Sequence, residues 1–177
     1  MIAQVRVLDL EHALKVARAY DDNYTAWISV MDPEDERDCF NIKRLLGRRN
    51  VLHFHRFFRD FDDGEADVET HGPNKEDIEL LVKFLTELKY QDKNHFVGIN
   101  CRAGISRSSA SAIVAWMVAG FQPEVALDKV LLVRPIAWPN CRILRFYDEI
   151  AGTNSAEVVL DWKKKLKGKL FTNTAWT

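Results

Sequence analysis

The chain has 177 residues, 47% hydrophobic and 29% charged, with a formal net charge of −1. That length suits one domain with a sizeable core. The charge balance excludes global attraction to nucleic acid or to an anionic membrane, so anion binding must come from a local site.

In chain order, "QVRVLDL" reads as a strand and "EHALKVARAY" as a helix. The start "MIAQVRVLDLEHALK" lacks the basic and apolar regions of a signal peptide. "TAWISVM" is a second strand with buried character. "DPEDERDCFNIKRLLG" follows as a helix, with proline near its start and glycine at its end. "NVLHFHRFF" is a third strand, Val51, His53, His55 and Phe57 alternating with Leu52, Phe54, Arg56 and Phe58. The polar segment "RDFDDGEADVETHGPN" is longer than most connections, a length often tied to function.

"KEDIELLVKFLTELKY" sets Ile78, Leu81, Val82, Leu85 and Leu88 on one helical face. "HFVGIN" is a fourth strand, followed by three helices in "SRSSASAIVAWMVAGF", "QPEVALDKVLLV" and "NCRILRFYDEIAG". Alternation of strands and helices predicts one α/β domain, a mostly parallel sheet with helices on both faces. Residues 1–154 form that domain on this reading, and 155–177 a basic C-terminal tail or helix whose lysines form a solvated face.

The junction "INCRAGISRSS" concentrates the chemistry. Cys101 follows a strand, and Ser106 to Ser109 open a helix. Backbone N–H groups from Arg102 to Arg107 can curl around one point and, with the helix N-terminus, cradle an anion. Gly104 permits a backbone conformation that a side chain resists, and Arg107 offers a planar fork for two phosphate oxygens. A cysteine in such a field tends toward the thiolate, a strong nucleophile. Cys-x5-Arg alone arises by chance in roughly one chain in ten of this length, whereas adding Gly104, Ser106 and Ser108 lowers that to about one in ten thousand.

"CRAGISRS" resembles the phosphate-binding loop C-x5-R-[S/T] of the protein tyrosine phosphatase superfamily, in its dual-specificity form. The likeness extends from about Val51 to Gly152 and includes "VRPIAWPN". It implies that fold, a phosphate monoester substrate, a phosphocysteine intermediate, and no metal or cofactor. It further implies that Cys101 is the nucleophile and Arg107 binds phosphate and stabilises the transition state. Ser108 would stabilise the departing thiolate, and Arg102, Ala103, Gly104, Ile105 and Ser106 would line the substrate.

The general acid belongs to the loop after the third strand, which opens on the same sheet edge. The family places it two residues past the last apolar strand position, at Asp60, with Asp62 and Asp63 as alternatives. Glu65, Asp67 and Glu69 are solvated turn residues on this reading, and His71 an exposed one. Asn140 either braces the phosphate loop or caps a helix. Asn100 departs from the histidine usual before the cysteine, though it can still donate a hydrogen bond, so a working but slower enzyme is expected.

Cys39 and Cys141 pack rather than pair, and Trp116 and Trp138 fill the core or flank the site. The expected protein is a cytoplasmic monomer acting on phosphorylated protein, on phosphotyrosine and also on phosphoserine or phosphothreonine, with no nucleic-acid or membrane partner. The alternatives are an RNA 5′ end or inositol phosphate as substrate, a phosphate-binding module without catalysis, or rhodanese-like sulfur transfer.

Overall fold

The computed structural model describes residues 1–19, 23–62 and 68–172. Four strands, β1 (Ile2–Leu8), β2 (Ala26–Met31), β3 (Leu52–Phe57) and β4 (His95–Asn100), form one sheet in the order β1-β4-β2-β3. All three pairings are parallel, and β2 aligns Ser29 with Asn100 of β4. The described helices are α1 (Leu10–Arg18), α2 (Glu36–Gly47), α3 (Val68–His71), α4 (Lys75–Lys89), α5 (Arg107–Val118), α6 (Pro123–Val133), α7 (Cys141–Ala151) and α8 (Ser155–Thr172). A single 3-10 turn, Pro33–Asp35, leads into α2.

Local chemistry explains the boundaries. Asn74 caps α4 by accepting from Asp77 N, while the Asp77 side chain accepts from Asn74 N, a reciprocal box. Gly152 ends α7 in the left-handed region at φ 66°. The four-residue α3 interrupts the segment read as one long loop.

Two apolar layers sandwich the sheet. On one face, Ile28, Val97, Ile99 and Val7 pack with Leu81 and Leu85 of α4, Ile113 of α5 and Ile143 of α7. Each such fully buried aliphatic side chain contributes about 1.5–3 kcal/mol. Every residue of α5 is buried, so this helix runs as the central rod under the sheet. On the other face, Trp27, Leu8 and Tyr24 pack with Ala13 and Ala17 of α1 and Ile42 and Leu46 of α2. Gly98 makes room for Trp27, because a β-carbon there would lie 2.4 Å from its ring.

The segment after residue 154 continues as α8, which lays Ala156 and Val159 into the first layer. Among the described residues no helix is long and apolar enough to cross a membrane.

Parallel pairing brings the four strand ends to one edge. Asp9 lies one residue past β1, Asp32 past β2, Asp60 beyond β3, and Cys101 directly past β4. The candidate acid after β3 and the cysteine segment after β4 therefore approach the same place from different strands.

Candidate active site

Cys101 is 1% exposed at the mouth of a loop that folds back over its sulfur. The Gly104 N–H donates to Sγ at 3.2 Å, and Ser108 Oγ lies 3.1 Å away. Gly104 has φ 67°, the left-handed conformation expected from the motif. The loop is braced from outside: Leu10 N donates to Arg102 O (3.1 Å), and Arg134 donates to Gly104 O (2.9 Å) and Ala103 O (3.0 Å). Trp138 N donates to Ile105 O at 2.9 Å.

The other two thiols sit in different surroundings. Burial pushes the Cys39 thiol up to about 11, despite a hydrogen bond with Ser29. Burial likewise pushes the Cys141 thiol up, against the nearby Lys163 ammonium. Both are buried and unpaired, as the packing role requires.

Arg107 is buried, and its guanidinium is fixed at both ends. Nη1 donates to Phe58 O at 2.7 Å and Nη2 to Asp32 at 2.8 Å, while Nε has no hydrogen-bond partner among the described residues and lies 3.9 Å from Asp60 Oδ2. Arg102 forks onto Asp35 and lies 3.7 Å from Asp32, and its guanidinium is held more firmly protonated by the Asp35 hydrogen bond. The sequence places Asp32 and Asp35 only at the start of a helix. Their distance in sequence from the cysteine motif hid the role, although an acidic pair directly after a parallel strand was the available signal.

The acidic loop sorts itself by partners. Asp60 Oδ1 accepts from Ser106 Oγ (2.7 Å) and Asn140 Nδ2 (3.1 Å), so its carboxyl stands against the Cys101–Arg107 loop. Asp62 instead accepts from Cys141 N (3.3 Å) and Arg142 N (3.0 Å), satisfying open N–H groups of α7. Asp63, Glu65 and Asp67 lie outside the described residues, as do residues 173–177. His71 is exposed and meets Thr70 Oγ1.

Asn140 takes both roles left open, and its backbone N–H braces the loop by donating to Ser106 O (3.3 Å). Its Oδ1 accepts from Ile143 N (3.0 Å) as the cap of α7, and its Nδ2 reaches Asp60 and Phe61 O (2.9 Å). Trp116 is buried in the core, while Trp138 flanks the site.

Asn100 donates its hydrogen bond to the neighbouring strand. Its Oδ1 accepts from Trp27 Nε1 (2.8 Å) and Ser29 Oγ (2.9 Å), which turns its amide nitrogen toward Met31 Sδ (3.2 Å). Its donor therefore goes to β2 rather than to the Cys101–Arg107 loop. Behind Ser29 stands His53, whose Nε2 donates to Ser29 Oγ at 3.2 Å because the serine proton is committed to Asn100. Burial and the neighbouring His55 push His53 down to about 3, so it is neutral.

No family model matches the chain, and no curated protein does. Several solved structures are similar. Tk-PTP in its active form aligns with TM-score 0.54 at 19% identity, covering 83% of this chain and 90% of that one. Human DUSP28 aligns with TM-score 0.53 at 14% identity, covering 93% and 94%. PTP-2 phosphatase of Cydia pomonella aligns with TM-score 0.55 at 24% identity, covering 78% and 77%. The fold is thus that of the protein tyrosine and dual-specificity phosphatases.

Proposed function

We propose that this chain is a cysteine-dependent phosphatase that hydrolyses phosphate monoesters on protein, phosphotyrosine first and phosphoserine or phosphothreonine also. The observation that carries the reading is the Cys101 sulfur between the Gly104 N–H and the Ser108 hydroxyl, with Arg107 in the same loop. A thiol in a braced loop of amides at a helix start, beside a carboxyl held against that loop, suits phosphoryl transfer. Sulfur transfer would have no use for the carboxyl.

In the first step Cys101 Sγ attacks phosphorus; an S–P bond forms as the ester O–P bond breaks. Asp60 gives its proton to the leaving oxygen. Loop amides and Arg107 stabilise the charge on the equatorial oxygens, the dominant contribution in phosphoryl transfer. In the second step water attacks phosphorus, Asp60 takes the water's proton, and the S–P bond breaks. The Ser108 hydroxyl, 3.1 Å from Sγ, donates to the departing thiolate.

A phosphate-binding module would need neither a thiol in the cradle nor a carboxyl beside it. The loop interior also carries no lysine, and Arg102 is engaged by Asp35, which disfavours an inositol polyphosphate. The test is hydrolysis of para-nitrophenyl phosphate by wild type and Cys101→Ser, with chelator and reductant present. Metal-independent turnover lost in the variant is expected; equal turnover in both proteins would overturn the reading.

A further inference from the structure

The surface beside the phosphate loop has an aromatic and cationic corner. Trp138, tied to Ile105 through its backbone, keeps 37% of its surface exposed. Trp162 of α8 meets its ring, with centroids 5.7 Å apart. Two lysines one turn apart on α8 stand over the same ring, Lys163 Nζ at 5.0 Å and Lys167 Nζ at 5.9 Å from the centroid.

Their environments differ. Lys163 is buried between Cys141 Sγ (3.4 Å) and the Asp62 carboxylate (3.8 Å), so its charge is used within the fold. Lys167 is exposed and, among the described residues, has no carboxylate partner. A cation over an exposed indole forms a surface with an apolar floor and a positive edge.

Resting on the phosphatase reading, we propose that Trp138 and Lys167 form a recognition shelf for acidic residues flanking the phosphoresidue of a peptide substrate. Charge complementarity selects the occupant. The other cations at the loop, Arg102, Arg107 and Arg134, are paired with the carboxylates Asp35, Asp32 and Asp9, and Asp60 is a further carboxylate against it. A polyanion such as RNA, or an anionic bilayer, would have to lie across those as well, whereas one acidic side chain needs only this corner. The flanking segment lays its backbone or aliphatic stem on the indole and its carboxylate beside Lys167.

The experiment uses two phosphotyrosine peptides that differ only in glutamate or glutamine beside the phosphoresidue. Binding is followed with Cys101→Ser by fluorescence anisotropy, and kcat/KM with the reactive chain, at low and high salt. The glutamate peptide should be preferred by about 1.5-fold to fivefold at low salt, the scale of one exposed ion pair, and the preference should shrink at high salt. Lys167→Glu, alone and combined with Cys101→Ser, should abolish or reverse the preference, whereas Lys167→Arg should retain it.

No preference at low salt, or one that survives Lys167→Glu, overturns the shelf. Vesicles of anionic lipid that bind wild type through Lys167, with no peptide preference, would overturn it in favour of a membrane. A Lys167-dependent preference in binding, in a chain inert toward para-nitrophenyl phosphate, would sink the phosphatase reading and leave the shelf standing. Turnover without preference would do the reverse.

Discussion

Replacing Gly104 with alanine asks how the phosphate loop is held. At φ 67° an L-residue costs about 1–2 kcal/mol. The new β-carbon would lie 2.6 Å from Asp9 N, 2.8 Å from Leu8 C and 2.9 Å from Leu8 O. All three are backbone atoms, so relief requires the end of β1 or the loop itself to move, an overpacking cost of about 1–3 kcal/mol. Together these give about 2–5 kcal/mol of lost stability, a large fraction of what a domain of this size has. The same motion carries the Gly104 N–H away from Cys101 Sγ and the Gly104 carbonyl away from Arg134. Misplacement by about 1 Å costs on the order of 100-fold in rate. Urea unfolding followed by tryptophan fluorescence reads the first effect, and kcat/KM on para-nitrophenyl phosphate, measured where the variant is folded, reads the second. Stability within about 0.5 kcal/mol of wild type, together with full activity, would refute the docking of this loop on Leu8 and Asp9.

Asp60→Asn should lower kcat on a phosphotyrosine peptide by about 10²–10⁴-fold and cost much less on a substrate whose leaving group needs no proton. Asp62→Asn should spare the chemistry, so an equal loss in both variants would contradict the assignment. His53 has its folded value near 3 against an ordinary 6.5, so the unfolded chain binds a proton between those values that the folded chain refuses. Stability is fully present above pH 6.5 and falls as pH drops, by about 2 kcal/mol between pH 7 and pH 5. Denaturant unfolding of wild type and His53→Gln at both pH values checks this: the variant should lose that part of the slope. Gly98→Ala drives a methyl group into the Trp27 ring at 2.4 Å and should destabilise by about 1–3 kcal/mol or more. A Tm unchanged from wild type would show the ring free to move aside.

What could be read from sequence was what local chemistry punctuates. Pro33, the Asn74–Asp77 box and Gly152 mark helix boundaries within a few residues of the groups that need them. Cys101, Gly104, Arg107 and Ser108 lie within eight consecutive residues, so their convergence follows from one strand-to-helix turn. Groups brought together by strand pairing were less legible. Asp60 and Asp62 have the same chemistry two positions apart, and contact with Ser106 in one case and the start of α7 in the other separates them. Asp32 and Asp35 meet the arginines only because β2 lies beside β4. The turning of Asn100 away from the loop depends on its register with Ser29 and on Trp27, two residues earlier on β2. The basic C-terminal run gave no sign that one lysine would be buried and another left over an indole.

The central claim is that phosphate passes through the Cys101 sulfur. Its most direct test is rapid acid quenching of phosphopeptide turnover, followed by peptide mapping, in wild type and Ser108→Ala. Phosphate should appear on the peptide containing Cys101, and it should accumulate when the Ser108 hydroxyl can no longer stabilise the departing thiolate. Steady release of phosphate that persists in Cys101→Ser, with none ever bound to that peptide, would contradict the account.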